Sequence, residues 1–271
     1  DPRESDLRRV NTEVLREQLM ELAGVIQNGT APFCLEKMVA TLGVFTGNRF
    51  DIRGRWLHTT ARHHFGWWKI AARVVSDGGP ARVPTNSQYK GTRQRETPGL
   101  ERMMLPQVQT DQRRLDEYQS IVGERAIEEI RSLAKPLQGK RVLHFNATPY
   151  GGGVAEILKT LVPLMSDVGI AAEWRVMSAG DDLFTVTKQM HNSLQGQNMT
   201  WTKGMWDTWL NYNMANALEM DDAYDVVVVH DPQPAAVLGY LQRQKRGPKG
   251  KWIWRCHIDL TNAQAEVWER L

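Results

Sequence analysis

Arg141-Val142-Leu143-His144-Phe145-Asn146-Ala147-Thr148-Pro149-Tyr150-Gly151-Gly152-Gly153-Val154-Ala155-Glu156 joins an apolar strand to three consecutive glycines and then, at once, to a helical pattern. This order puts bare backbone N–H groups and a helix N-terminus at the carboxyl end of a strand. Unpaired N–H groups and the helix dipole both favour negative charge at such a place. Glycine lets the main chain approach a ligand closely and take up positive φ. The stretch therefore suits an anionic phosphate, that of a sugar nucleotide among others.

Strand and helix patterns alternate from there to the C-terminus. Val142–Phe145 reads as a strand, Val154–Met165 as a helix and Ala172–Met177 as the next strand. Leu183–Leu194 and Trp206–Leu218 read as helices. Val226–Val229 is an all-valine strand that must be buried on both faces. Pro234–Gln244 follows as a helix and Trp252–Cys256 as a further strand. Strands separated by helical segments give an α/β fold with a Rossmann-like parallel sheet, whose ligands lie at the strand carboxyl ends. Tryptophans 201, 206 and 209 either cover an interface or pack in the core, and the pattern leaves both open.

Toward the N-terminus the signal weakens. Leu115, Tyr118, Ile121, Val122, Ile127, Ile130 and Leu133 mark an amphipathic helical stretch, broken near Gly123 and ending before Pro136. Residues 5–27 read as a helix from Val10, Val14, Leu15, Leu19, Leu22 and Ile26. Between about Gly43 and Pro98, glycine and proline are frequent and no long apolar period survives. The sequence thus divides into residues 1–105, a poorly defined basic extension that is partly helical or disordered, and residues 106–271, the Rossmann-like domain.

Charge follows the same division. Residues 1–105 hold 16 Lys+Arg against 11 Asp+Glu, and the remainder holds 18 against 20. A basic stretch from Arg49 to Arg95 interleaved with Trp56, Phe65, Trp67 and Trp68 has the character of a nucleic-acid or anionic-surface contact. No helix-turn-helix, zinc or RNA-binding motif accompanies it, so a solvated extension is the expectation and nucleic acid is not expected as a partner. His58, His63 and His64 have no Cys or carboxylate at ligand spacing and read as surface residues. No run of 18 apolar residues exists, so no membrane span is expected. No signal peptide is visible, although the chain starts at Asp1 rather than Met. Two distant thiols, Cys34 and Cys256, give no disulfide framework and fit a reducing cytoplasm.

Polar residues gather where the strands end. The first strand delivers Asn146, Thr148 and the Gly151, Gly152, Gly153 loop. The valine strand ends in His230-Asp231-Pro232-Gln233-Pro234, and the last strand in Arg255-Cys256-His257-Ile258-Asp259. Three strands releasing such groups on one sheet edge define a binding site. His and Asp hold sugar hydroxyls, and Arg balances phosphate charge. A nicotinamide site would need Gly-x-Gly-x-x-Gly and a later ribose-binding acid, but the third glycine position is Glu156. A metal held by His230, Asp231, His257 and Asp259 is geometrically conceivable, yet His-Asp pairs serve polyols equally well, and no metal is expected.

From about Asp111 onward the chain resembles the N-terminal half of trehalose synthases of the glycosyltransferring type, retaining enzymes of GT-B architecture. The resemblance runs through Leu115-Asp116-Glu117-Tyr118, Val122-Gly123-Glu124 and Gly139-Lys140-Arg141-Val142-Leu143-His144. It continues in Gly151 to Leu158, in Thr187-Lys188, His191-Asn192 and Leu194-Gln195-Gly196. It closes with Val229 to Pro234 and Trp254 to Leu260. Retaining trehalose phosphorylases share much of the pattern and are the close alternative.

The resemblance implies reversible glucosyl transfer from a nucleoside diphosphate glucose to glucose, with retention, giving trehalose. No cofactor is implied; ADP-, UDP- or GDP-glucose is the donor substrate. Carried over by position, Gly151, Gly152 and Gly153 would face the donor diphosphate and the reacting sugar. His230 and Asp231 would be the catalytic pair, holding donor-glucose hydroxyls near the anomeric carbon. Arg255, His257 and Asp259 would line the cleft on the acceptor side, with Lys188, His191 and Asn192 nearby, and Asn146 and Gln233 are further substrate-binding candidates. A GT-B enzyme places most nucleotide contacts on a second Rossmann domain, and Leu271 precedes any such pattern. The expectation is a front half with little turnover by itself. A sugar- or nucleotide-binding module is the non-catalytic alternative, and a homo-oligomer is compatible with the sequence.

Overall fold

A computed structural model of the protein describes residues 2–28, 74–75, 105–221, 223–243 and 250–271. The basic stretch and His58, His63 and His64 lie outside the described residues, apart from a two-residue strand. The elements are α1 (Pro2–Asn28), β1 (Val74–Val75), a 3-10 turn (Leu115–Tyr118), α2 (Gln119–Val122) and α3 (Glu124–Ala134). There follow β2 (Arg141–Asn146), α4 (Gly153–Asp167), β3 (Ala171–Val176), α5 (Asp181–Leu194) and α6 (Lys203–Glu219). The chain closes with β4 (Val226–His230), α7 (Val237–Arg243), β5 (Lys251–Arg255) and α8 (Ala265–Trp268). The expected strands and long helices from residue 141 onward all appear, with ends displaced by a few residues.

The sheet runs β1-β5-β4-β2-β3. β2 to β5 are mutually parallel, and only β1 is antiparallel, pairing Val74 with Ile253. β2 continues through α4 to β3 on one side; α5 and α6 then carry the chain back to β4 on the other side of β2. The strand order therefore reverses between β2 and β4, which in an open α/β sheet is where ligands enter at the carboxyl ends. The exposed edge of β3 is covered by residues 106–108, with Val108 N–H donating to the Trp174 carbonyl at 2.8 Å.

Side-chain alternation sorts the interior into two layers. Val142, Val226, Val228 and Ile253 face a core built from α1, α3 and α4. Leu143, Phe145, Val227, Val229 and Trp252 face a second core with α5, α6 and α7. Trp201, Trp206 and Trp209 are buried in that second layer, so the core alternative holds for all three.

Helix α1 was grouped with the extension by charge and composition, yet it shares the first core. Leu15, Leu19, Leu22 and Val25 are completely buried there beside α3 and α4. Its apolar stripe at helical spacing finds its complement in the sheet layer that carries the strand-end residues on the same face.

Candidate functional site

The loop between β2 and α4 opens the site. Gly151 sits at φ +79, a conformation that L side chains rarely adopt, and the added Cβ of any of the three glycines would meet open space. Gly152, at the N-cap of α4, offers no side-chain acceptor, so the first-turn N–H groups carry no side-chain cap among the described residues. The acid in this turn, Glu156, is drawn to Lys159 at 2.8 Å. Thr148 braces the loop by donating its hydroxyl to the Tyr150 carbonyl at 3.0 Å, and Tyr150 projects its ring into solvent. Asn146, at the end of β2, accepts the Trp174 indole N–H at 2.7 Å and donates to the Thr148 carbonyl at 2.9 Å.

The neighbouring strands end beside it. His230 of β4 pairs with Arg255 of β5, and Phe145 with Val229, so three parallel strands release their polar residues side by side. Alternation turns His144, Asn146, His230 and Arg255 toward the α1 and α4 layer. There the histidines form a row. His144 Nδ1 lies 3.0 Å from His230 Nε2, and His230 Nδ1 lies 2.9 Å from His257 Nε2. Their rings stack with centroids 5.3 Å and 5.2 Å apart. The far nitrogen, His144 Nε2, stands 3.3 Å from the Met165 sulfur of α4.

Electrostatics hold this row neutral. Burial, followed by the Arg255 charge, pushes His144 down to about 3; the same causes in the same order push His257 to about 3. Burial also drives His230 well below its ordinary value, with His257, His144 and Arg255 adding to it. Arg255 is itself ion-paired with Glu21 of α1.

Asp231 follows in a left-handed turn, at φ 63. Its N–H donates to the Arg255 carbonyl at 2.8 Å and its carboxylate accepts the His257 N–H at 2.7 Å. Burial raises the carboxyl to about 6, against the lowering effect of that N–H. The turn beyond is pinned from α6. Trp209 Nε1 donates to the Pro232 and Gln233 carbonyls, both at 3.0 Å, and Asn213 Nδ2 to the Gln233 carbonyl at 2.8 Å.

The structure thus brings Asn146, the glycine loop, His230, Asp231, Gln233, Arg255 and His257 to one edge. Lys188, His191 and Asn192 sit on α5 in the other layer. His191 bonds with Gln195, and the Asn192 carbonyl accepts the Gln197 N–H at 2.9 Å. Asp259 is exposed and folds back on Thr261, accepting its hydroxyl at 2.6 Å. Both ring nitrogens of His230 are engaged, so the direct hydroxyl contact expected of it would require it to leave those partners. His144, Met165, Glu21, Trp209 and Asn213 were not among the residues singled out from the sequence. Only the alternation of Val142, His144 and Asn146 could have flagged one of them. Among the described residues, no group of three or more His, Cys, Asp or Glu side chains is placed to hold a metal ion.

A glycine loop at a helix N-terminus, at the switch point of a parallel sheet, defines a Rossmann-like α/β domain of the kind that forms the N-terminal half of GT-B glycosyltransferases. Residues 144–271 match the family model described as the N-terminal domain of trehalose synthase, and the likeness read from the residues is borne out over this segment. The chain is 44% identical, over a longer stretch of 161 residues, to a trehalose synthase of Pyrococcus horikoshii, covering 59% of this chain and 38% of that protein. A trehalose synthase of Rubrobacter xylanophilus is 42% identical over 172 residues, 62% of this chain and 41% of its own. A trehalose phosphorylase of Pleurotus sajor-caju is more distant, 28% identical over 178 residues, 58% of this chain and 23% of that protein. The chain therefore spans about two fifths of the length of these synthases. Among the described residues, no helix is long and apolar enough to cross a membrane.

Proposed function

We propose that this chain supplies the glucose-binding half of a retaining glucosyltransferase that forms trehalose from a nucleoside diphosphate glucose and glucose. The observation that carries the reading is the strand-end cluster of residues 144–257 inside a segment similar to trehalose synthases. The uncapped N-terminus of α4 and the Gly151–Gly153 amides face the leaving diphosphate and offset its growing charge. Asp231, Arg255 and His257 line the sugar subsite, with His230 holding His257 from beneath. Hydroxyl contacts orient the ring as it passes through an oxocarbenium-like state. Nucleotide base contacts belong to a second Rossmann domain, so the donor is ADP-, UDP- or GDP-glucose. The compartment is the cytoplasm.

The test is a chimera in which this 161-residue segment replaces its counterpart in the Pyrococcus horikoshii synthase, assayed with glucose and each donor. Trehalose formation supports the reading. A folded chimera that makes none, while the parent synthase does, overturns it. Phosphorolysis of trehalose by the chimera would instead favour the phosphorylase alternative suggested by the more distant relatives.

A further inference from the structure

The row His144–His230–His257 has one closed end and one open end, and the closed end decides how the hydrogens are arranged. Among the described residues His144 Nε2 faces only the Met165 sulfur, which has lone pairs and no hydrogen to give. A lone pair on that nitrogen would stand buried against another lone pair. The hydrogen therefore sits on His144 Nε2, leaving His144 Nδ1 as an acceptor. Its neighbour His230 Nε2 must then donate across the 3.0 Å gap, which leaves His230 Nδ1 as an acceptor. His257 Nε2 must donate across the 2.9 Å gap in turn. The open end, His257 Nδ1, is left with a lone pair and has no protein partner among the described residues.

We infer that His144, backed by Met165, is a positioning residue that fixes the tautomer of His257 through His230, so that His257 Nδ1 accepts a hydrogen bond from a sugar hydroxyl. A lone pair at the open end selects a hydrogen-bond donor such as a neutral O–H rather than an anion. Arg255 disfavours a second proton on the row, and Asp231 fixes the His257 main chain through its 2.7 Å contact. The alternative direction of donation would put an N–H at the open end and select a carbonyl or phosphate oxygen instead. The sugar identity rests on the function proposed above; the tautomer does not.

That separation sets the experiment. The side-chain nitrogens of the chain, labelled with 15N-histidine, distinguish pyrrole-like from pyridine-like nitrogen by NMR at neutral pH. The expected result is Nε2–H with unprotonated Nδ1 for all three histidines. His144→Phe removes the acceptor for His230 and should leave His230 and His257 in mixed tautomers. His144→Asn places an amide oxygen near the lost Nδ1 and should restore the Nε2–H form of His257. A hydrogen on His257 Nδ1 in the unmodified chain overturns the inference, as does an unchanged His257 in His144→Phe. If His144→Phe fails to fold, the unmodified spectrum still decides. None of these readings needs turnover, so a failed assay for trehalose and a failed tautomer assignment are distinct outcomes. In the chimera, glucose addition should shift the His257 Nδ1 resonance selectively, and no shift with any sugar would overturn the hydroxyl assignment.

Discussion

The Glu21 carboxylate on α1 is ion-paired with the Arg255 guanidinium at the end of β5, 234 positions away. Both side chains are largely buried, and the fully buried Gln18 adds a hydrogen bond to the same Glu21 oxygen at 2.8 Å. The contact ties the N-terminal helix to the strand edge where the candidate site lies. It also leaves Arg255 oriented and charge-balanced before any ligand arrives.

Removing one partner of such a pair strands the other charge in a poorly hydrated place. Glu21→Ala should therefore lower unfolding free energy by about 2–4 kcal/mol. Glu21→Ala combined with Arg255→Met should recover most of that loss, because no unpaired charge remains. Denaturant midpoints of the two single variants and the double variant measure the coupling. Additive losses would show that the pair contributes only packing.

Acid should unfold the domain through the histidine row. Folded-state values of about 3 for His144 and His257, and a strongly lowered His230, all lie below the ordinary 6.5. The unfolded chain thus binds protons that the folded chain refuses, and stability is lost as pH falls from about 6.5 toward 3. Asp231 acts in the opposite sense: its raised value of about 6 means that the folded state takes up a proton first, so it loses stability as pH rises from about 4 to 6. Near pH 5 His144 and His257 contribute about two protons taken up on unfolding, His230 adds in the same sense, and Asp231 releases nearly one, a net uptake of at least about one. Stability should then fall by at least about 1–2 kcal/mol per pH unit as pH drops there. His144→Phe should cut the slope by about one proton, and Asp231→Asn should steepen it.

The phosphate-facing role proposed for the glycine loop separates from its folding role at two adjacent positions. Gly151 needs its positive φ, so Gly151→Ala should destabilise by about 1–2 kcal/mol. Gly152 has φ −178, ordinary extended backbone, and open space around its Cβ position. Gly152→Ala should leave thermal stability unchanged while placing a methyl group where a diphosphate would approach. In the chimera, its donor KM should rise about tenfold or more. An unchanged KM would move the diphosphate away from this loop.

How far the sequence carried this reading depended on the range of each interaction. Period-2 and period-3.6 patterns are local, so β2, α4 and the valine strand β4 were legible. The glycine run was legible because it marks the strand-to-helix junction directly. His144 was not, since a histidine inside an apolar strand looks like ordinary core and its partner lies 86 positions away. The α1 contact was hidden for the same reason: the stripe of Leu15, Leu19 and Leu22 reveals an apolar face but not the surface that receives it. Lys188 and His191 were grouped with the site by resemblance, and their helix places them in the opposite layer. Asp231 carries a left-handed backbone that no local motif announced.

That left-handed turn leads into the segment that α6 pins, and the pins are testable as a unit. Trp209 and Asn213 both donate to the Gln233 carbonyl, and Asn213 Oδ1 also accepts the Ala236 N–H at 3.1 Å. Trp209→Phe removes an indole N–H and leaves the Pro232 carbonyl without it, a loss of about 1–2 kcal/mol. Asn213→Ala leaves both a carbonyl and the half-buried Ala236 N–H short of partners, and should be the more damaging, at about 2–3 kcal/mol. Because they share the Gln233 carbonyl, the double variant should depart from additivity by at least about 0.5 kcal/mol, measured by denaturant unfolding of all four proteins. A slackened 231–234 turn frees the Asp231 carboxylate from the His257 N–H. The same variants should therefore raise the sugar KM in the chimera more than they lower kcat. Equal effects on both parameters would place the turn outside the sugar subsite.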